Sequence, residues 1–508
     1  IVAAEEVVDN LSKVYEKRAK AQALRRRSDA DIFAMLGQPL RSHTILYPDL
    51  DEDYARAHYA ITRLMGVTGL FATFPRRVLI ISSDLLPLPG FPTTGAGLRA
   101  WSIGQGLRAR GHEVLFSMPK AAMVGRSASG EGCIADLLWE QGQLDEVVAR
   151  AGPDVVVACG WSTLAHLQHA TVPVVLDQHG PHLLERGFQK HLDESTNTAE
   201  KLRGLSKADF FTCAGERQRR YFLPWLQRAG FEDPEGDSAV MPVSLGGQWP
   251  AVERRDGETT FVYGGVFLPW QDPSLALTTL VERMEALGRG RLRIFGGEHP
   301  FIPIDTQSFQ QLKERLAKSR RVEVSPMLPR EALLAEYQKA HVAIDLMKRN
   351  PERELAFTTR TVEYLWCGLP VIYNNYAELA DYIGPANAGW CLDPEDRSAM
   401  VTVFDEILLH PNILTERSRR ARQIAEERLN WSESIEPLDQ FIRMPYKRRV
   451  PVQTQTPVAP EPAPTSVPRA KGVRQLAGEA LFHYRRGGVK TMSVETIGFL
   501  RRQLAQRR

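Results

Sequence analysis

Short apolar, β-branched runs alternate along most of the chain with longer stretches whose apolar residues recur every three or four positions. "RVLIISS" (77–83), "EVLFSM" (113–118), "VVVACG" (155–160), "PVVLDQHG" (173–180) and "ADFFTCAG" (208–215) form a first series. "TFVYGG" (260–265), "RLRIFGG" (291–297), "RVEVSP" (321–326), "VAIDLM" (342–347), "PVIYNN" (370–375) and "GWCLDP" (389–394) form a second. Runs that are apolar at successive positions suit strands covered on both faces. The stretches between them, such as "LRAWSIGQGLRARG" (98–111) and "ERQRRYFLPWLQRAG" (216–230), carry helical spacing and glycine stops. Strands joined through helices must cross over right-handedly and lie parallel. The pattern therefore predicts an α/β chain of two tandem Rossmann-like, doubly wound domains. The joint between them falls in "MPVSLGGQWPAVERRDGET" (241–259).

The flanks have other patterns. Residues 1–74 are polar with helical spacing ("VVDNLSKVYEKRAKAQALRRR", 7–27), and read as a helical extension, an extra layer or a partner-docking arm. The expected organisation continues with a first domain at 75–240, a second at 241–430 and a closing helix at 431–445. Residues 446–470, "YKRRVPVQTQTPVAPEPAPTSVPRA", are too rich in proline to form a core and are expected to be a disordered linker. The segment 471–508 has nine Lys and Arg against two Glu, which fits a basic amphipathic tail that meets a membrane surface, or a solvated or docking helix. The chain opens on Ile, so a piece of something longer is expected.

Bulk composition narrows the classes. A net charge of +3 over 508 residues gives no reason to expect a nucleic-acid partner. No apolar run reaches the roughly 20 residues that span a bilayer. Five scattered cysteines without metal-like spacing indicate a reducing, cytoplasmic setting, with thiols acting as small apolar residues.

Candidate chemistry gathers where strands end. Gly95 and Gly97 ("TTGAGLRA") lie in a long loop that leads into a helix, too far past the preceding strand for a nicotinamide dinucleotide fingerprint. His179, with His182 as a second candidate, comes just after the strand "PVVLDQ". Gly264, Gly265, Gly296 and Gly297 form two pairs at one edge of the second sheet, where bare backbone can approach an anion. In "TTRTVEYLWCGLPVIYNN", Thr359 stands as the cap of a helix whose N-terminus, with Arg360 beside it, suits a diphosphate. Glu363, one turn deeper, suits sugar hydroxyls. The chain has no Walker A loop, no HExxH, no G-x-S-x-G and no zinc spacing.

From about Arg77 to Ile442 these landmarks resemble the GT-B glycosyltransferases, in particular the large retaining family that uses nucleotide-sugar donors, and members from bacterial polysaccharide and O-antigen clusters. The segments that carry the resemblance are 77–114, 208–222, 261–273, 292–300, 352–379 and, for the closing helix, "NWSESIEPLDQFI" (430–442). The resemblance implies that Gly95 and Gly97 line the cleft, that His179 contacts the transferred sugar, and that Gly264 and Gly265 form the first donor loop. It further implies that Met327 and Leu328 lie near the base, and that Glu363 is the second Glu of the family's E-x7-E signature. The first Glu of that signature is replaced by Leu355, so Glu354 is expected to take its place. The usual Arg and Lys after the first donor strand are absent, which leaves Arg360 and the helix end to neutralise the diphosphate. The expected enzyme is metal-independent, without a cofactor, and moves a sugar to a glycan or lipid-linked acceptor in surface polysaccharide synthesis, in the cytoplasm or at the inner membrane face. A non-catalytic binding subunit and a nucleotide-sugar epimerase are the alternatives on this fold.

Overall fold

The computed structural model describes residues 75–448, apart from 88–89, 124–134, 190–193, 248–249, 251–256 and 300–305, together with four helical positions between 13 and 20. Most of the expected helical extension, most of the proline-rich linker and the basic tail lie outside the described residues.

All sheet strands are parallel. The first sheet runs β1 (Arg77–Ile81), β2 (Glu113–Pro119), β3 (Leu137–Trp139), β4 (Val155–Cys159), β5 (Val174–Gln178), β6 (Phe210–Cys213) and β7 (Ser238–Val240), in the order β3-β2-β1-β4-β5-β6-β7. The second runs β8 (Thr260–Val266), β9 (Arg291–Gly297), β10 (Val322–Ser325), β11 (Val342–Asp345), β12 (Val371–Asn374) and β13 (Gly389–Leu392), in the order β10-β9-β8-β11-β12-β13. Strand order reverses between β1 and β4, and again between β8 and β11. Ligands collect beyond the carboxyl ends of strands at such switch points. Both sheets lie in one compact unit.

The cores reflect the two-residue period of a strand. Val155 to Cys159 and Val78 to Ile81 are wholly buried, because helices cover both faces of the first sheet. In β8, Phe261 and Tyr263 pack on one side with Phe309, Phe404 and Leu280, while Val262 packs on the other with Leu365, Ile424 and Ala425.

The helices that shape the sheet edges are α1 (Gly95–Ala109), α2 (His182–Gln189), α3 (Glu194–Ser206), α4 (Glu216–Arg228), α5 (Pro351–Leu355), α6 (Thr359–Trp366), α7 (Leu414–Arg428) and α8 (Glu436–Arg443). Helix α1 starts at Gly95 because the Thr94 side chain accepts a hydrogen bond from the Gly97 amide over 3.2 Å. Arg99 on α1 is buried and makes two bonds to Asp177 on β5, at 2.9 and 3.1 Å, and one each to the carbonyls of Met241 and Pro242, both at 2.7 Å.

After the second sheet the chain returns to the first. Leu245 pairs across with Asn430, α8 stacks Phe441 on Phe210 with centroids 4.7 Å apart, and Asp439 meets His112 Nε2 at 2.7 Å. Residues Tyr446 to Arg448 continue along the first sheet, where the Arg448 amide donates to Asp209 over 2.8 Å.

Contacts also join the two halves near their sheet edges. The Gln218 side-chain amide donates to the carbonyl of His179 at 3.0 Å and to that of Leu355 at 2.8 Å. Glu378, beyond β12, accepts from the amides of Glu216 and Arg217 at 2.6 and 3.0 Å.

Candidate functional site

A cavity of about 510 Å³ opens between the carboxyl edges of the two sheets. Its first-sheet wall comes from the loop after β1, the start of α1 and the turn from β5 into α2. The second-sheet wall comes from the loops after β8, β9 and β10, from α5 and from the start of α6.

Of the residues singled out in the sequence, His179, Gly95, Gly265, Met327, Leu328, Thr359, Arg360 and Glu363 line this cavity. The structure therefore brings together residues up to 268 positions apart in the chain. Arg360 is almost enclosed. Its guanidinium bonds Gln271 Oε1 at 2.9 Å, the Val266 carbonyl at 3.3 Å and Asp345 at 3.3 Å, and lies 4.9 Å from the centre of the Tyr263 ring. Gly265 is what lets it lie there. A Cβ at that position would stand 2.9 Å from Arg360 Nε, and the backbone φ of +118° lies outside the range of L side chains. Asp345 is held in turn by the hydroxyls of Thr358 and Thr361.

Glu363 accepts from Arg330 Nε at 3.0 Å. Burial raises its carboxyl above the usual range and Arg330 opposes that rise. Burial pushes the imidazole of His179 down to about 4, although Asp177 pulls the other way, so the ring is neutral near pH 7. His179 Nδ1 makes no hydrogen bond among the described residues. His182 packs edge-on against it, and burial with His179 beside it pushes that ring down to about 3.

Several expectations need correction. Glu354 does not reach the cavity: it pairs with Arg349 at 2.6 Å on an exposed face. Asn350 accepts from the amides of Glu352 and Arg353 and starts α5 so that these two residues turn inward. Glu352 and Arg353 are buried, line the cavity and bond each other, Arg353 Nη2 to Glu352 Oε1 at 2.7 Å. Thr359 is not the cap of α6. Thr358 takes that place, and its hydroxyl turns to Asp345 rather than to the helix amides. Thr359 faces Gly95 instead, with Oγ1 3.2 Å from where a Cβ of Gly95 would be.

The glycines divide by role. Gly264, Gly265, Gly296 and Gly297 do meet at one edge, with Gly265 in register with Gly296. Of these four, only Gly265 faces the cavity. Gly264 makes room for the Tyr337 hydroxyl, and Gly296 for the Gly265 carbonyl and Phe267; Gly297 is not part of the lining. Gly97 serves packing too, since a Cβ there would stand 1.7 Å from the Leu85 carbonyl oxygen.

The sequence reading missed Glu185, Arg330 and the Asp84–His299 pair, whose atoms approach to 3.6 Å across the cavity. The E-x7-E spacing leaves Glu352 three positions off, and "NP" before "ERE", a helix-start signal, points to Glu352 and Arg353. Among the described residues no group of three or more His, Cys, Asp or Glu could hold a metal ion, and no helix is long and apolar enough to cross a membrane.

No curated protein matches the sequence. Among solved structures, a sucrose-phosphate synthase from Thermosynechococcus elongatus superposes with a TM-score of 0.55 at 16% identity, over 72% of this chain and 98% of that one. A variant of S. aureus TarM in complex with fondaparinux, alpha-GlcNAc-glycerol and UDP gives 0.43 at 12% identity, over 57% of this chain and 55% of that one. A further TarM structure gives 0.42 at 12%, over 56% and 54%. Residues 248–428, which hold the second sheet together with α5, α6 and α7, match the model of the family described as glycosyl transferases group 1. These 181 of the 508 residues thus form a glycosyl transferases group 1 domain, and the two parallel sheets are those of the GT-B fold.

Proposed function

We propose that the enzyme moves a sugar from a nucleoside diphosphate donor, held on the second sheet, to a hydroxyl of a glycan or lipid-linked acceptor held against the first. Breaking the anomeric C–O bond leaves the bonding electrons on a diphosphate, so catalysis requires stabilisation of growing negative charge. The observation that carries the reading is the position of Arg360. It begins α6, lies over Gly265 and lines the cavity, so that a guanidinium and the amide end of a helix serve one leaving group. That arrangement supplies positive charge from the protein itself, in keeping with a metal-independent reaction.

In this reading Glu363, steadied by Arg330, takes the donor ribose hydroxyls, and Met327 and Leu328 cover the base. His179, neutral and with a free Nδ1, takes a hydroxyl of the transferred sugar. Glu352 with Arg353 replaces Glu354 at the sugar. Gly95 and Thr359 form the neck of the site. Retention of anomeric configuration, surface polysaccharide as the product, and a cytoplasmic site that reaches the membrane through residues 471–508 complete the proposal.

The experiment is a thermal-shift panel of UDP-, GDP-, ADP- and dTDP-sugars, then product analysis with the donor that stabilises the fold. Stabilisation by one nucleotide series, and loss of nucleoside diphosphate release in Arg360→Lys and Glu363→Gln, is expected. Full turnover in both variants would reject the site. For the tail, deletion of 471–508 is expected to abolish co-sedimentation with anionic liposomes.

A further inference from the structure

We propose that Glu185 is an acceptor-positioning residue: its carboxyl group enters the cleft from α2, opposite Glu352 of α5, and hydrogen-bonds a hydroxyl of a polyhydroxylated acceptor. The proposal rests on the transfer reaction proposed above and adds to it the group that recognises the acceptor.

Glu185 lines the cavity, and its side chain is 22% exposed. Oε1 folds over Gly180, 3.0 Å from where a Cβ of that glycine would stand. The nearest basic atom is His182 Nε2, at 3.9 Å from Oε2. Among the described residues, the other cations around it are engaged elsewhere. On the same helix, Arg186 bonds Asn197 and Glu200 of α3 at 2.9 and 2.7 Å and lies over the Trp161 ring. On α5, Arg353 grips Glu352. Beneath β5, Arg99 is taken by Asp177. Lys201 of α3 sits among Tyr221, Phe222 and Trp225, its Nζ 3.8 Å from the Trp225 ring centre. His179 and His182 are neutral near pH 7.

An acid that lacks a cation and faces another acid keeps its proton. Burial first, and Glu352 second, push the Glu185 carboxyl up to about 8. A protonated carboxyl both donates and accepts, which matches an alcohol hydroxyl; an ionised one only accepts. The position is on the first-sheet wall, whereas Arg360, where the diphosphate is proposed to sit, belongs to the second-sheet wall.

Two measurements on the full chain test this. The first needs no ligand. Glu185 binds a proton in the folded state between the unfolded value near 4.3 and about 8, so it weakens stability as pH rises through that window. The midpoint of Glu185→Gln minus that of wild type should therefore grow from pH 5 to pH 8.5. Parallel curves would overturn the placement. The second uses the donor found in the nucleotide panel, with the methyl glycosides of glucose, galactose, mannose and N-acetylglucosamine, and water, as acceptors. Glu185→Ala should raise the apparent acceptor KM at least tenfold over wild type while the donor KM holds, and Glu185→Gln should recover most of that loss at pH 7. Equal change in both constants, or no recovery, would overturn the role. If no nucleotide sugar stabilises wild type, the transfer reading fails, and the ligand-free curves still decide whether Glu185 holds a proton in the folded protein.

Discussion

Glu378 accepts from the backbone amide of Glu216 over 2.6 Å, so a carboxylate from the second-sheet half caps the N-terminus of α4 in the first. Its other oxygen takes the Arg217 amide, and Arg217 returns a bond to the Tyr376 carbonyl and pairs with Asp381 at 3.2 Å. Loss of a helix cap costs about 0.5–2 kcal/mol. Glu378→Ala should lower the unfolding free energy by that amount. Gly215→Ala should do likewise, because its Cβ would stand 2.1 Å from Glu378 Oε2. The double variant should lose little more than either single one, as measured by denaturant titration.

Arg360→Ala removes a buried cation and leaves Asp345, 1% exposed, with threonine hydroxyls as its side-chain hydrogen-bond donors and the Arg353 charge nearby. Stripping one partner from such a pair costs about 3–5 kcal/mol. Turnover should fall further than stability explains, by roughly 10²–10³ for the loss of one charge-stabilising donor. Arg360→Lys separates the two effects: the charge survives, the reach to Gln271 and Val266 does not, and single-turnover rates should stay depressed in a protein that melts close to wild type.

Arg99→Ala should destabilise by about 3–5 kcal/mol as well, since it strands Asp177 at 0% exposure. Thr212 Oγ1 alone, at 2.8 Å, would remain to bond the carboxylate. Asp177→Asn in the Arg99→Ala background should restore part of the loss. A double variant no better than Arg99→Ala in a chemical melt would show that the carbonyls of Met241 and Pro242, not the carboxylate, are the partners that count.

Acid should weaken the fold through His179 and His182. The folded values of about 4 and 3 lie below the unfolded 6.5, so as pH falls the unfolded chain takes up protons that the native rings refuse. Stability is thereby lost from pH 6.5 down to about 4 for His179 and further for His182. His179→Gln should flatten the drop in urea midpoint between pH 7 and pH 5; an unchanged slope would show that the ring is solvated.

The strands were legible because runs such as "VVVACG" and "PVVLDQ" hold apolar residues on both faces, and only parallel strands under helices bury both. The edge strands Leu137–Trp139 and Ser238–Val240 were not, since three residues carry no period and each pairs on one side alone. Within the site, Arg360 and Glu363 could be read from a helix start and its first turn. Glu352 could not be told from Glu354, because two residues of helix rotate a side chain by more than half a turn and only the Asn350 cap fixes the phase. The glycines misled for a related reason. A missing Cβ reads the same whether a ligand or Tyr337 fills the space.

The return of the chain after β13 bears on how this enzyme can be cut and recombined. Phe441 lies on Phe210, Asp439 on His112, and Arg448 on Asp209, so the folding unit around the first sheet is discontinuous along the polypeptide. A fragment that stops after β7 would present a bare aromatic to solvent and leave Asp209 with only the Val174 amide, and would be expected to aggregate. Chimaeras that exchange first-sheet halves between relatives should therefore transplant both pieces together, the amino-terminal sheet and the last helix with its trailing residues.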